Sequence, residues 1–183
     1  VIGEGVTNVG SYCGAYFPEL TKVTLPSTLT SISSYSFTQS QKLAEITIPD
    51  KVELIGQCAF YRDTALGKIN IPAAVKKIDV RAFDYCTSLE TAEIAENSCL
   101  ETIGSSSFNA CKKLKEFIIP DTVTIFGSNP FDGCFSIEKI VYGKGLTKIP
   151  SYAFYRMTSL KTFICRGDVK SIGSSAFENC INL

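Results

Sequence analysis

Histidine is absent from the 183 residues, and that one gap removes a large share of chemistry. Ser-His-acid and Cys-His nucleophile arrangements need an imidazole, as do histidine-ligated metal centres. No Cys-x-x-Cys pair stands in for them, so the cysteines lack the spacing of a zinc or redox motif. Phosphate-cradling loops are lacking too, since Gly3-Glu4-Gly5 and Gly143-Lys144-Gly145 are loop glycines at one position of a repeat. Carboxylates such as Glu93 and Asp168 have no evident catalytic partner. The chain is therefore expected not to be an enzyme and to use no cofactor.

Net charge is also lacking. The 18 Lys and Arg residues balance 18 Asp and Glu residues, so no overall field favours nucleic acid or an anionic membrane. No apolar run approaches the roughly 20 residues that span a bilayer. The opening Val1-Ile2-Gly3-Glu4 has no basic and apolar leader, a gap that a mature or trimmed chain shows equally.

What the chain does have is a phrase repeated at a spacing of 23 residues. Its aliphatic anchors are Val6, Leu29, Val52, Val75, Leu100, Val123, Leu146 and Val169, and one step alone, from Val75 to Leu100, is 25 residues long. The second copy shows the pattern: Leu29, Ile32, Ser36, Phe37, Ser40, Leu43, Ile46, Ile48, Pro49. A fixed period of this length marks a solenoid, in which stacked coils share one core. The expected fold is a β-rich solenoid over residues 1–183, with about eight coils, a parallel sheet on one face and short turns or 3₁₀ segments on the other.

Each coil follows from its residues. The stretch Leu-x-x-Ile-x-Ile, ended by proline at Pro26, Pro49, Pro72 and Pro120, predicts a short strand, because proline has no donor to continue the pairing. A second extended stretch, such as Val52–Gly56, returns along the opposite side. Between them a small residue precedes phenylalanine, as in Ala59-Phe60 and Ala82-Phe83, which predicts one ring delivered to the core per coil. The first copy departs, with Gly14 in place of phenylalanine.

Four of the eight cysteines, Cys86, Cys111, Cys134 and Cys180, share one repeat position, held elsewhere by Phe17, Ser40, Asp63 and Met157. Membership of an inward column favours buried free thiols. Thiols stacked in parallel seldom meet the torsion a disulfide requires.

With the repeat laid out, the chain resembles the BspA-like leucine-rich repeat family. Ala82-Phe83, Cys86, Leu89 and Ile94 carry that family's phrase, as do Phe108, Cys111, Leu114, Ile119, Pro120 and Val123. The departures are Gly14, Ser40, Asp63 and Met157. The resemblance implies an open, curved solenoid in a large secreted or surface-anchored protein of host-associated microbes, hence an extracellular or cell-surface location. It implies adhesion to host extracellular-matrix or cell-surface proteins, and no catalytic residues. A structural spacer presenting another domain is the competing reading. The chain begins and ends inside a repeat, which leads us to expect a piece of a longer protein; self-association through uncapped ends is the alternative.

Two outward columns of the strand are informative. Lys22, Glu45, Lys68, Thr91, Glu116, Lys139 and Thr162 alternate in sign in places, as a solvated ladder of surface pairs would. The next column runs Thr24, Thr47, Asn70, Glu93 and then Ile118, Val141, Ile164. The three apolar residues are expected to form an exposed patch, either a partner site or a device for strand propensity. Arg166-Gly167-Asp168 follows the seventh strand, where it serves an integrin-like receptor or simply turns the loop. Ile118, Val141, Ile164, Thr162, Arg166, Gly167 and Asp168 are the candidate partner-binding residues, and no metal site is expected.

Overall fold

The computed structural model describes residues 2–183; Val1, which the sequence places inside a strand of an incomplete repeat, lies outside the described residues. Among the described residues, fifteen short strands follow one another in chain order. The first eight are β1 (Asn8–Val9), β2 (Lys22–Val23), β3 (Ser31–Ile32), β4 (Glu45–Ile46), β5 (Leu54–Ile55), β6 (Lys68–Ile71), β7 (Lys77–Ile78) and β8 (Thr91–Ile94). Then come β9 (Thr102–Ile103), β10 (Glu116–Ile118), β11 (Ile125–Phe126), β12 (Lys139–Tyr142), β13 (Lys148–Ile149), β14 (Thr162–Cys165) and β15 (Ser171–Ile172). Even-numbered strands come from the Leu-x-x-Ile-x-Ile stretches and form the front face. Odd-numbered strands are the return stretches. Eight return strands alternating with seven front strands close about seven turns of solenoid. All pairings are parallel.

The two strand faces differ in how far their pairing runs. The long sheet is the return one, ordered β1-β3-β5-β7-β9-β11, with β13-β15 beyond it. The front face breaks into β2-β4, β6-β8 and β10-β12-β14. The second break falls in the one 25-residue coil, whose extra residues lie directly after β8. Return strands tolerate close approach because small residues flank them: a Cβ on Gly56 would lie 2.7 Å from the Ser33 carbonyl carbon.

The interior holds what the pattern places there. Leu29, Ile32, Leu43, Val52, Ile55, Phe60, Phe83 and Phe108 are all sealed from solvent, and one core runs from Val9 to Ala176. Phe37, Phe60, Phe83, Phe108, Phe131, Phe154 and Phe177 form a file of stacked rings, with centroids 5.2–6.5 Å apart. Offset stacks of this kind contribute about 0.5–1.5 kcal/mol each beyond area burial. Gly14 ends the file for a steric reason, since a Cβ there would sit 2.7 Å from the Phe37 ring.

The turns that deliver these rings are not 3₁₀ segments. Their N–H groups reach sideways to the next coil: Tyr35 to Gln57 O at 2.8 Å, Phe37 to Ala59 O at 2.8 Å, Gln39 to Tyr61 O at 2.7 Å. The same triplet recurs from Cys58, Phe60 and Arg62 and from Arg81, Phe83 and Tyr85. Residues with left-handed backbone alternate along each turn, such as Tyr35 (φ 60°) and Gln39 (φ 61°). The turns thus supply a third row of inter-coil hydrogen bonds beside the two strand faces.

All eight cysteines are free thiols. In the shared column, Cys86 donates to Phe60 O (3.1 Å), Cys111 to Phe83 O (3.3 Å), Cys134 to Phe108 O (3.0 Å) and Cys180 to Phe154 O (3.0 Å). Ser40 does the same to Gly14 O at 2.8 Å. Burial pushes the thiols of Cys86, Cys111 and Cys180 up, which keeps them protonated donors.

Candidate groove on the front face

Register places the apolar column side by side, Ile118 beside Val141 and Val141 beside Ile164. Their exposures differ sharply. Ile118 and Ile164 are 44% and 43% exposed, whereas Val141 is 3% exposed. The three do not form a uniformly open patch: the middle member is flanked on both strands by an apolar neighbour and is buried. Thr162 pairs in register with Lys139 and is exposed.

The front face carries two adjoining depressions. The larger, about 970 Å³, lies over β8, β10 and β12 and is lined by Glu93, Glu116, Ile118, Asp121, Lys139 and Arg166 among others. The smaller, about 750 Å³, lies over β4, β6 and β8. Glu93, Ile94, Ala95 and Glu96 line both. Each depression sits over one of the two places where the front ladder stops. Ile118 of the candidate column thus faces the larger groove, and Val141 and Ile164 are not among its lining residues.

Ion pairs cross the front strands as the sign alternation implies, with one change. Lys22 meets Glu45 at 3.4 Å and Lys139 meets Glu116 at 3.4 Å. Lys68 turns instead to Glu93 at 3.0 Å, because β6 is bonded to β8 and not to β4. Exposed pairs of this type are worth less than about 1 kcal/mol each.

The loop after β14 divides its tripeptide. The Arg166 guanidinium points back to Asp121, at 3.9 Å, and lines the larger groove. Asp168 is exposed and lines neither depression. Gly167 is required where it stands, since a Cβ would meet the Lys144 backbone at 2.8 Å. Asp121 was not apparent from the repeat alone. It accepts the Lys144 N–H at 3.0 Å, and this bond, with the charges of Lys144 and Arg166, holds its carboxyl below the usual range.

Two further features escaped the pattern. Asp63, in the thiol column, is sealed from solvent. Its Oδ1 accepts the Ser40 N–H at 2.9 Å and its Oδ2 has no partner; burial pushes the carboxyl up to about 8. The turns also display exposed tyrosines, Tyr12, Tyr16, Tyr85 and Tyr152. Their signal in the sequence is recurrence six and ten residues after the anchor. Among the described residues, no group of three or more cysteines and carboxylates is placed to hold a metal ion, and no helix is long and apolar enough to cross a membrane.

Stacked parallel strands, a file of phenylalanines and a 23-residue period define a leucine-rich repeat solenoid. The family profile described as BspA type leucine rich repeat region matches in six copies, over residues 7–99 and 93–183, and the chain belongs to that family. Among solved structures, a leucine-rich repeat protein from Eubacterium ventriosum aligns with a TM-score of 0.82 and 27% identity, over 94% of this chain and 46% of that one. The T. pallidum leucine-rich repeat protein aligns at 0.78 and 25% identity, over 85% of this chain and 72% of that one. The pneumococcal vaccine antigen PcpA, at 23% identity and a TM-score of 0.70, shares the fold over 97% of this chain and 55% of its own. A comparison with curated proteins found no significant match.

Proposed function

We propose that this chain is a non-enzymatic protein-binding module that takes its partner on the front face, within a secreted or cell-surface protein that works in adhesion. The observation that carries this reading is the larger groove. It sits where the front ladder is interrupted, it is rimmed by charged residues, and it contains one well exposed apolar anchor, Ile118. Interfaces of this make-up place an apolar contact inside a polar rim. Ile164 and Thr162 extend the surface along β14, and Arg166-Gly167-Asp168 closes its end. The family, and the bacterial proteins that share its fold, support a surface location and an interaction role.

The test is a binding screen against purified extracellular-matrix proteins and host-cell surface proteins. Each hit is repeated with an Ile118→Ser, Ile164→Ser double variant whose fold is verified by circular dichroism. Val141 stays unchanged because a buried hydroxyl there would perturb the fold. Binding weakened by about tenfold or more supports the front-face site. Undiminished binding rejects that site, and no binding to any of the panel favours a spacer.

A further inference from the structure

Seven of the eight tyrosines, Tyr12, Tyr16, Tyr35, Tyr61, Tyr85, Tyr152 and Tyr155, lie in the turns that join return strands to front strands. Five of them occupy left-handed backbone: Tyr12 (φ 62°), Tyr16 (φ 61°), Tyr35 (φ 60°), Tyr85 (φ 62°) and Tyr152 (φ 58°). Arg62, Arg81 and Arg156 do so as well. A side chain with a Cβ resists that conformation by about 1–2 kcal/mol per residue, a cost that glycine escapes and asparagine softens. The sideways row of turn hydrogen bonds demands the backbone shape, but it makes no demand for a ring. Glycine or asparagine fills these positions only at Asn129, Gly133 and Asn179. Gln39, Cys58, Ser106, Ala110 and Ser175 adopt the same conformation, so the backbone shape belongs to every turn, and what distinguishes the early turns is the Tyr and Arg side chains set on it.

The rings are not core material. Tyr12, Tyr16, Tyr85 and Tyr152 are 41–58% exposed, while the phenylalanine file beneath them is buried as far as Phe154. They are nonetheless held in place. Tyr12 stacks on Tyr35 at 4.9 Å with planes 6° apart. The Arg62 guanidinium lies 5.2 Å from the Tyr61 ring and 5.3 Å from the Tyr85 ring. Pre-ordered tyrosines offer large contact area at low entropic cost. Tyr and Arg are also the residue types enriched among binding hot spots.

Charge indicates what the ridge fits. Over the first four turns, residues 11–16, 34–39, 57–62 and 80–85, the charged side chains are Arg62, Arg81 and Asp84. Asp84 is 2% exposed and is held by Asn109 at 2.7 Å and by Arg81 at 3.6 Å. Among the described residues Arg62 has no carboxylate within ion-pair distance. The ridge thus shows aromatic rings and one guanidinium, Arg62, without an ion-pair partner, while Arg81 is paired with buried Asp84 and the bordering Asp79 is paired with Lys77. None of these turn residues lines the front-face grooves.

We infer that the Tyr12–Tyr85 turn ridge is a second protein-docking surface, which takes an acidic, carboxylate-bearing protein segment independently of the front face. This goes beyond the function proposed above, and the two surfaces fail separately. The probe is a random Glu–Tyr copolymer, with poly-lysine and dextran sulfate as controls, read by biolayer interferometry. We expect saturable, salt-weakened binding to the Glu–Tyr copolymer and none to poly-lysine. A Tyr12→Asn, Tyr35→Asn, Tyr85→Asn variant and an R62Q variant should each bind about tenfold or more weakly. The Ile118→Ser, Ile164→Ser variant should bind this probe as the parent does.

Thermal unfolding gives the second readout. Asparagine relaxes the left-handed positions, so the triple variant should melt no lower than the parent. A melting point lower by many degrees would make the rings structural and overturn the inference. So would copolymer binding that survives in the triple variant, or an absence of copolymer binding to the parent. Equal binding to dextran sulfate, unaffected by the tyrosine changes, would replace the protein partner with a sulfated polysaccharide.

Discussion

The return face and the front face are made by the same repeat, yet they behave as opposites. Return strands are two residues long and six of them bond in one unbroken row. Front strands reach four residues, and their row is broken twice. Longer strands do not guarantee a longer sheet. Nor does constant spacing alone decide continuity, since β7 bonds to β9 across the 25-residue step while the return row stops after β11 at a regular one; small residues such as Gly56 and Gly104 let return strands approach closely. The front side absorbs the 25-residue coil, and there the depressions open. The face with the longer row of paired strands is the one without the depressions.

Three experiments break or sharpen this contrast. The largest effect belongs to the interior that both faces share. Phe83→Ala removes the fully buried ring between Phe60 and Phe108 and should cost about 3–5 kcal/mol in urea unfolding. Because neighbouring coils stabilise each other, the loss should lower the whole transition and not one end of it.

The second is Asp63, the charged exception in the thiol column. Its column neighbours donate to a carbonyl one coil back, whereas Asp63 accepts the Ser40 N–H with one oxygen and leaves the other without a partner. Burial raises the folded carboxyl from 3.8 to about 8, so the folded chain keeps a proton that the unfolded chain releases. The contribution is full below about pH 4 and is lost as pH rises to about 8. The groups facing it are the Ser40 N–H and the Cys86 thiol. Asp63→Cys should therefore match the parent near pH 4 and exceed it by about 1–3 kcal/mol at pH 8, measured as urea midpoints in reductant. A constant difference across that range would remove the proton from the account.

The smallest effect separates two members of one outward column. Val141→Ser, at a buried position, should cost about 1–3 kcal/mol. Ile164→Ser, at an exposed one, should stay within about 0.5 kcal/mol. Equal costs would mean that the column is uniform after all.

Most of the fold was legible because the repeat reports periodic burial directly. Leu29, Ile32, Phe37, Leu43 and Ile48 are inside, as their positions require, and the thiol column follows the same logic. What the pattern did not convey depends on neighbours across coils. Alternation along a strand marks Val141 as outward, yet it is buried where Ile118 and Ile164 of the adjacent strands flank it. The Lys68–Glu93 pair depends on which front strands bond, and the spacing of the phrase is silent on that. Asp121 and Arg166 lie 45 positions apart and meet through stacking. The turn tyrosines did recur in the sequence, but their left-handed backbone appears only when the sideways hydrogen bonds of the turns are seen.

The break between β8 and β10 has a mechanical side. On the opposite face β7 remains bonded to β9, so at this level the molecule is stitched by strand pairing along one margin and, along the other, held by the Lys115 N–H to Glu90 O bond ahead of the break. A rod built in that way has a preferred bending plane. It resists flexing that would stretch the return row, and it yields to flexing that parts the front strands around the continuous seam, as a book opens about its spine. The joint sits near mid-length, where a modest change of angle moves the two ends farthest relative to each other.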